Sequence, residues 1–251
     1  MATLTKPPVT KAAAVRDSDL IPVYVWQRPV RLFHWLMVIS LTVLTVTGIY
    51  MHNPFLVETS PRAWAMGTMR FIHEIFGFVL IATVLMRAYW FFAGNEWARW
   101  RAWVPLRRDQ WQSIKSMALY YAYQRREPYP EIGHNSLAAA CYLAIVGLLL
   151  IECLTGLILF GVVSGSHFLR ITVGWIPHFI DIQYIRELHY FIMFCFMAFM
   201  IHHVYSAVLV SMEQKNGLME SIFSGWKFVH RSLIEDERQK MVRASTHRTK
   251  P

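Results

Sequence analysis

Residues 186–205, Arg186-Glu-Leu-His-Tyr-Phe-Ile-Met-Phe-Cys-Phe-Met-Ala-Phe-Met-Ile-His-His-Val-Tyr205, set histidines near both ends of an otherwise apolar run. At 3.6 residues per turn, His189 and His203 fall about 40° apart around a helix axis and about 21 Å apart along it. They share one face at two depths. His202 falls about 140° from His189 and is the poorer partner. An ionisable group inside a membrane helix marks a functional site, and neutral imidazole is the commonest side-chain metal ligand. The opposing ligands have to come from elsewhere in the chain.

Four runs are long enough to cross a bilayer, at about 30–50, 71–92, 137–163 and 187–210, against the ~20 residues a ~30 Å hydrocarbon core requires. With 55% hydrophobic and only 16% charged residues, the chain reads as one all-α membrane protein, a four-transmembrane-helix bundle spanning 30–210. A basic arm (1–29), taken as mobile, precedes it. A basic tail (211–251) follows, and a tryptophan- and tyrosine-rich loop (93–136) suits the headgroup level. Lys and Arg number five in 1–33, seven in 93–136 and eight in 212–251, against two in 51–70 and two in 164–186. The positive-inside rule therefore makes both termini and the middle loop cytoplasmic. The net charge of +9 is segregated by loop, which speaks against nucleic acid as a partner and for the lipid bilayer. Cys141, Cys153 and Cys195 lie in apolar runs without a CxxC pair, so neither a disulfide frame nor a zinc site is encoded, and no CxxCH would attach haem covalently.

In this orientation His34 lies near the cytoplasmic end of the first helix and His73 near the periplasmic end of the second. The depths then match in pairs, His73 with His189 outside and His34 with His203 inside. Two stacked bis-imidazole haems need this arrangement, and the third helix packs without ligating. Gly48, fourteen residues after His34, would leave room for the outer porphyrin. Arg87, fourteen after His73, could pair with a propionate at the inner level. Either residue also has an ordinary reading, as a packing glycine or a snorkelling arginine. His52, His134, His167 and His178 read as interfacial, with His134 a candidate for a quinone pocket. His230 and His247 belong to the tail and read as inert. Ligands at opposite helix ends disfavour a closed zinc or copper site. A haem-free anchor and a histidine-relay channel remain as rivals, though the fourth run has no polar residue between His189 and His202.

Arg31-Leu-Phe-His-Trp-Leu-Met-Val-Ile-Ser-Leu-Thr-Val-Leu-Thr-Val-Thr-Gly48 resembles the first-helix signature of the cytochrome b subunit of membrane-bound nickel-iron hydrogenases. Arg87-Ala-Tyr-Trp-Phe-Phe-Ala-Gly-Asn95, Ala98-Arg-Trp-Arg101 and Gly133-His-Asn-Ser-Leu-Ala138 resemble later landmarks of that family. In the fourth run Arg186, His189, Phe199 and His203 agree, while Glu187, Tyr190 and Phe194 depart from the usual residues. The resemblance runs from about residue 20 to 230. It implies a b-type cytochrome of the bacterial inner membrane that carries electrons from the iron-sulfur chain of the hydrogenase small subunit, through two b haems, to quinone. The subunit would anchor the small and large subunits, the small one adding a transmembrane helix. Hydrogen activation would occur elsewhere, since no nickel-binding cysteine set is present. A formate dehydrogenase cytochrome subunit is the alternative within the same superfamily.

Overall fold

The computed structural model describes residues 20–55, 64–106, 108–126, 132, 133 and 135–235. In chain order the elements are β1 (Leu20–Tyr24), α1 (Arg28–His52), α2 (Ala65–Ala93), α3 (Trp100–Trp103), α4 (Arg108–Tyr121), α5 (Ser136–Ser164), α6 (His167–Thr172), α7 (Ile182–Gln214), α8 (Leu218–Ser224) and β2 (Trp226–His230), with a 3₁₀ turn at Ile176–His178. Four of them, α1, α2, α5 and α7, are long and apolar enough to cross a membrane. At ~1.5 Å per residue even the 25-residue α1 exceeds a ~30 Å hydrocarbon core.

Each long helix runs past its apolar window, because local chemistry rather than hydropathy sets its ends. Pro29 opens α1 where a missing N–H costs nothing. The Asn135 side chain caps α5 by accepting from the Ala138 amide at 2.7 Å. Asp181 caps α7 by accepting from Gln183 at 2.8 Å, which starts that helix five residues ahead of the apolar run. Gly165, in the left-handed conformation, ends α5.

α1 packs along α2 and α5 along α7. At mid-depth Leu80 and Val84 of α2 meet Leu149 of α5 and Ile192 and Phe196 of α7, with Met37, Leu41 and Leu44 of α1 closing the cluster. This apolar plug separates the two ends of the bundle. On the outside Leu32, Ile39, Val46, Phe71, Phe78, Leu85, Phe191 and Ile201 are exposed. So continuous a belt of apolar side chains belongs in lipid, and the chain is a membrane protein.

The arm expected to be mobile over 1–29 is structured over its described residues 20–29, where β1 pairs with the tail, and residues 1–19 lie outside the described residues. β1 and β2 form a two-stranded antiparallel sheet, with Leu20 opposite His230 and Tyr24 opposite Trp226. The cause is burial. Val25 is fully buried and packs with Trp26, Ile132 and Val229, while the Trp26 indole donates to Ser221 Oγ at 3.0 Å. Lys227 is buried and donates from Nζ to the Ile132 carbonyl at 3.2 Å. Asn95 ties in the turn after α2, donating to the Val25 carbonyl at 2.9 Å. The sheet fixes the flanks of α1 and α7 at one end of the bundle, here termed the sheet end.

Within the middle loop, α3 and α4 pack on α5. Trp103 and Tyr120 are buried there and Trp111 is exposed. The Tyr120 hydroxyl donates to the Glu213 carboxylate. Burial and then that bond raise the Tyr120 phenol above its ordinary range, so it stays a donor.

Candidate functional site

His34 enters two turns into α1, and Arg31, one turn earlier, donates from Nη1 to the Phe223 carbonyl of α8. His34 therefore lies toward the sheet end. Across the bundle it faces His203 of α7, with ring centroids 6.4 Å apart. At the far end His73 of α2 faces His189 of α7 with centroids 6.3 Å apart. A ligating imidazole nitrogen sits about 2 Å from its metal and about 1.2 Å from its own ring centre, so two rings sharing one iron have centroids about 6.4 Å apart. Both pairs have that spacing. No group of three or more metal-ligating side chains occurs among the described residues, and each of these pairs offers two imidazoles.

A ring that is to bind iron through Nε2 must carry its proton on Nδ1, and the neighbours decide this. Thr47 Oγ1 of α1 lies 2.8 Å from His73 Nδ1. The same hydroxyl donates its only proton along its own helix, to Val43 O at 2.8 Å and Leu44 O at 3.2 Å. Its oxygen is therefore an acceptor toward His73, which places the imidazole proton on Nδ1 and frees Nε2. Thr155 of α5 does the same for His189. It lies 2.9 Å from Nδ1 and gives its proton to Ile151 O at 3.0 Å and Glu152 O at 2.9 Å. Glu152 Oε2 is also near, at 3.3 Å from the same nitrogen, but it makes no directed hydrogen bond, so Thr155 is the partner and the carboxyl lies beside it. At the sheet-end tier the Tyr142 hydroxyl is 3.3 Å from His203 Nδ1, and Phe199 stacks on the His203 ring at 5.4 Å. The His34 Nδ1 is buried without a partner.

Gly48 lies beside the far tier, where an added Cβ would stand 3.5 Å from His73 Cε1. Gly156 has the same relation to His189, at 3.3 Å. The two glycines keep α1 and α5 clear of the Cε1 edges next to Nε2, the space a flat macrocycle needs. Arg87 reaches inward near the sheet-end tier. Its guanidinium lies over the Trp103 ring at 4.7 Å, one nitrogen donates to Ala98 O at 3.4 Å, and buried Nη1 has no partner. A buried cation with a donor to spare suits a carboxylate such as a haem propionate.

His202 is exposed on another face, with Nε2 3.3 Å from Ser206 Oγ and its ring beside Tyr121. His52 stacks on Tyr190 at 3.8 Å, His167 bonds Arg170 at 2.8 Å, and His230 sits in β2. His134, the quinone-pocket candidate, and His247 lie outside the described residues. Sequence reasoning passed over Thr47, Tyr142, Glu152, Thr155 and Gly156. The third apolar run, α5, sets no histidine at either tier but brings a hydroxyl to each. The available signal was the dipeptide Thr-Gly, present at 47–48 and again at 155–156.

Residues 25–225 match the family described as prokaryotic cytochrome b561. The chain is 33% identical over 216 residues to a protein of Azotobacter chroococcum mcd 1 named "Probable Ni/Fe-hydrogenase B-type cytochrome subunit", covering 82% of this chain and 88% of that one. A protein of the same name from Cupriavidus necator is 30% identical, with 86% and 91% covered. One from Escherichia coli (strain K12), "Probable Ni/Fe-hydrogenase 1 B-type cytochrome subunit", is 28% identical, with 84% and 93% covered. The prosthetic group of a b-type cytochrome is haem b, held without covalent attachment, and a pair of facing imidazoles is a donor set that suits it. With the match running from just after β1 to the end of α8, the chain belongs to the prokaryotic cytochrome b561 family.

Proposed function

We propose that the chain is the electron-carrying and anchoring subunit of a nickel-iron hydrogenase, and that it holds two b haems, one between His73 and His189 and one between His34 and His203. The observation that carries this reading is the pair of imidazole spacings, 6.3 and 6.4 Å, at opposite ends of one bundle. Haem, when bound, takes up and releases one electron at a time, a task that facing ring nitrogens support by holding the group between helices. His189 and His203 on α7 set the two levels about 21 Å apart along the axis. Two such stations divide a bilayer that a single site could not bridge. Thr47 and Thr155 hold the far-tier rings in the ligating tautomer, and Arg87 offers a counter-charge at the sheet-end tier.

The concentration of Lys and Arg in 1–33, 93–136 and 212–251 supports a cytoplasmic sheet end and termini. The far tier is then periplasmic, in the bacterial inner membrane. Electrons enter there from the iron-sulfur chain of the small subunit, which spans the membrane beside the bundle and carries the large subunit. They leave to quinone near the sheet-end tier. The names of the relatives favour this partner over a formate dehydrogenase. Purification of the tagged chain from membranes tests the assignment. A nickel-iron enzyme is expected to co-purify, and hydrogen gas is expected to reduce the bound haem within the complex. A molybdenum enzyme in its place, with reduction by formate and not by hydrogen, overturns the partner. Absence of a reduced b-type α band would leave a haem-free anchor.

A further inference from the structure

The two hairpins, α1–α2 and α5–α7, align at a set of chemistry-bearing positions around the histidines. A shift of 108 positions carries His34, Thr47 and Gly48 of α1 onto Tyr142, Thr155 and Gly156 of α5. A shift of 116 carries Arg70, His73 and Arg87 of α2 onto Arg186, His189 and His203 of α7. The contacts repeat with the residues. Thr47 Oγ1 stands 2.8 Å from His73 Nδ1, and Thr155 Oγ1 stands 2.9 Å from His189 Nδ1. Either threonine spends its proton on the carbonyl four residues back, at 2.8 and 3.0 Å. Either following glycine lies against the Cε1 of the same histidine. Elsewhere the copies differ, with Arg31 opposite Ala139, Leu44 opposite Glu152 and Glu74 opposite Tyr190, so the repeat is visible only around the paired residues named above.

At the sheet end the correspondence holds in position and breaks in chemistry. His34 and His203 face each other, while their counterparts, Tyr142 and Arg87, are separated by the indole of Trp103, 6.0 Å from the Tyr142 ring and 4.7 Å from the Arg87 guanidinium. The place where the repeat would set another facing pair is filled by α3.

We infer that the bundle consists of two copies of one ligand-clamping hairpin, and that Thr47 and Thr155 are equivalent positioning residues, each fixing the far-tier histidine of its own copy with Nε2 free. The inference rests on the reading of His73 and His189 as haem ligands. An acceptor at Nδ1–H makes an imidazole a stronger electron donor through Nε2, which favours oxidised iron and lowers the reduction potential. Removal of either acceptor therefore raises the potential of the far-tier haem.

The test is a spectroelectrochemical titration of the purified holo-complex, with the far-tier haem identified as the component lost in His73→Ala. Thr47→Val and Thr155→Val are each expected to raise the far-tier midpoint, by amounts within about twofold of each other, and to leave the sheet-end midpoint in place. Thr47→Ser and Thr155→Ser, which keep the hydroxyl, are expected to restore the wild-type value. Loss of the far-tier haem in a valine variant supports the role where the serine variant retains it and overturns it where serine loses it too. A far-tier midpoint unmoved by either valine also overturns it, as does a shift confined to the sheet-end haem. A His73→Ala protein that keeps its full haem complement instead removes the ligand reading itself, so the two failures are distinguishable.

Discussion

His202 and His203 are neighbours in sequence and about 100° apart around α7, and that rotation separates a residue exposed on the outer surface from one that faces His34. His203→Ala is expected to remove one haem per polypeptide and His202→Ala none, as read by the haem-to-protein ratio of the purified chain. Arg87 permits a second test. Its buried Nη1 has no protein partner, and a charge-assisted bond to a propionate strengthens retention by about 1.4 kcal/mol, or tenfold. Arg87→Met, which removes the guanidinium and keeps an unbranched apolar stem, is expected to speed loss of the sheet-end haem about tenfold in detergent. The histidines were legible in the sequence because an imidazole in an apolar run is conspicuous and fourteen residues return to nearly the same face. The threonines were not. A threonine bonded back to its own helix is common in any membrane span, and only the position of a ring on the next helix gives Thr47 and Thr155 a second task.

The long helices were readable element by element, since length and hydropathy decide a span, but their ends and the β1–β2 sheet were not. Each strand has five residues and its partner lies at the other end of the chain, so no local turn announces the pairing. Pro22 even argues against a strand, yet a two-stranded sheet consists of edges only and tolerates it. The sheet depends on Gly225, which adopts φ +90° and would place a Cβ 2.5 Å from Tyr24 Cε2 and 2.7 Å from the Trp26 carbonyl. Gly225→Ala is expected to cost at least about 1 kcal/mol and to lower the thermal midpoint by about 3 °C or more. A midpoint equal to wild type in a detergent melt would show that the sheet contributes nothing to holding the α1 and α7 flanks together.

For the whole molecule, an apolar plug of Leu80, Val84, Leu149, Ile192 and Phe196 stands between two polar tiers, and an exposed apolar belt surrounds both. The charge pattern supports the proposed direction of this body in the membrane, which a carboxy-terminal reporter fusion checks. A fluorescent protein that folds only in the cytoplasm is expected to be bright there, and an alkaline phosphatase active only in the periplasm is expected to be silent. The reverse outcome would invert the proposed electron path. Haem stoichiometry bears most directly on the two-tier arrangement. The purified protein is expected to carry two haems per polypeptide, with His34→Ala and His73→Ala each keeping one and losing spectrally different components, because the two imidazole pairs share no ring. A wild-type ratio of one, or loss of the same component from both variants, contradicts the account.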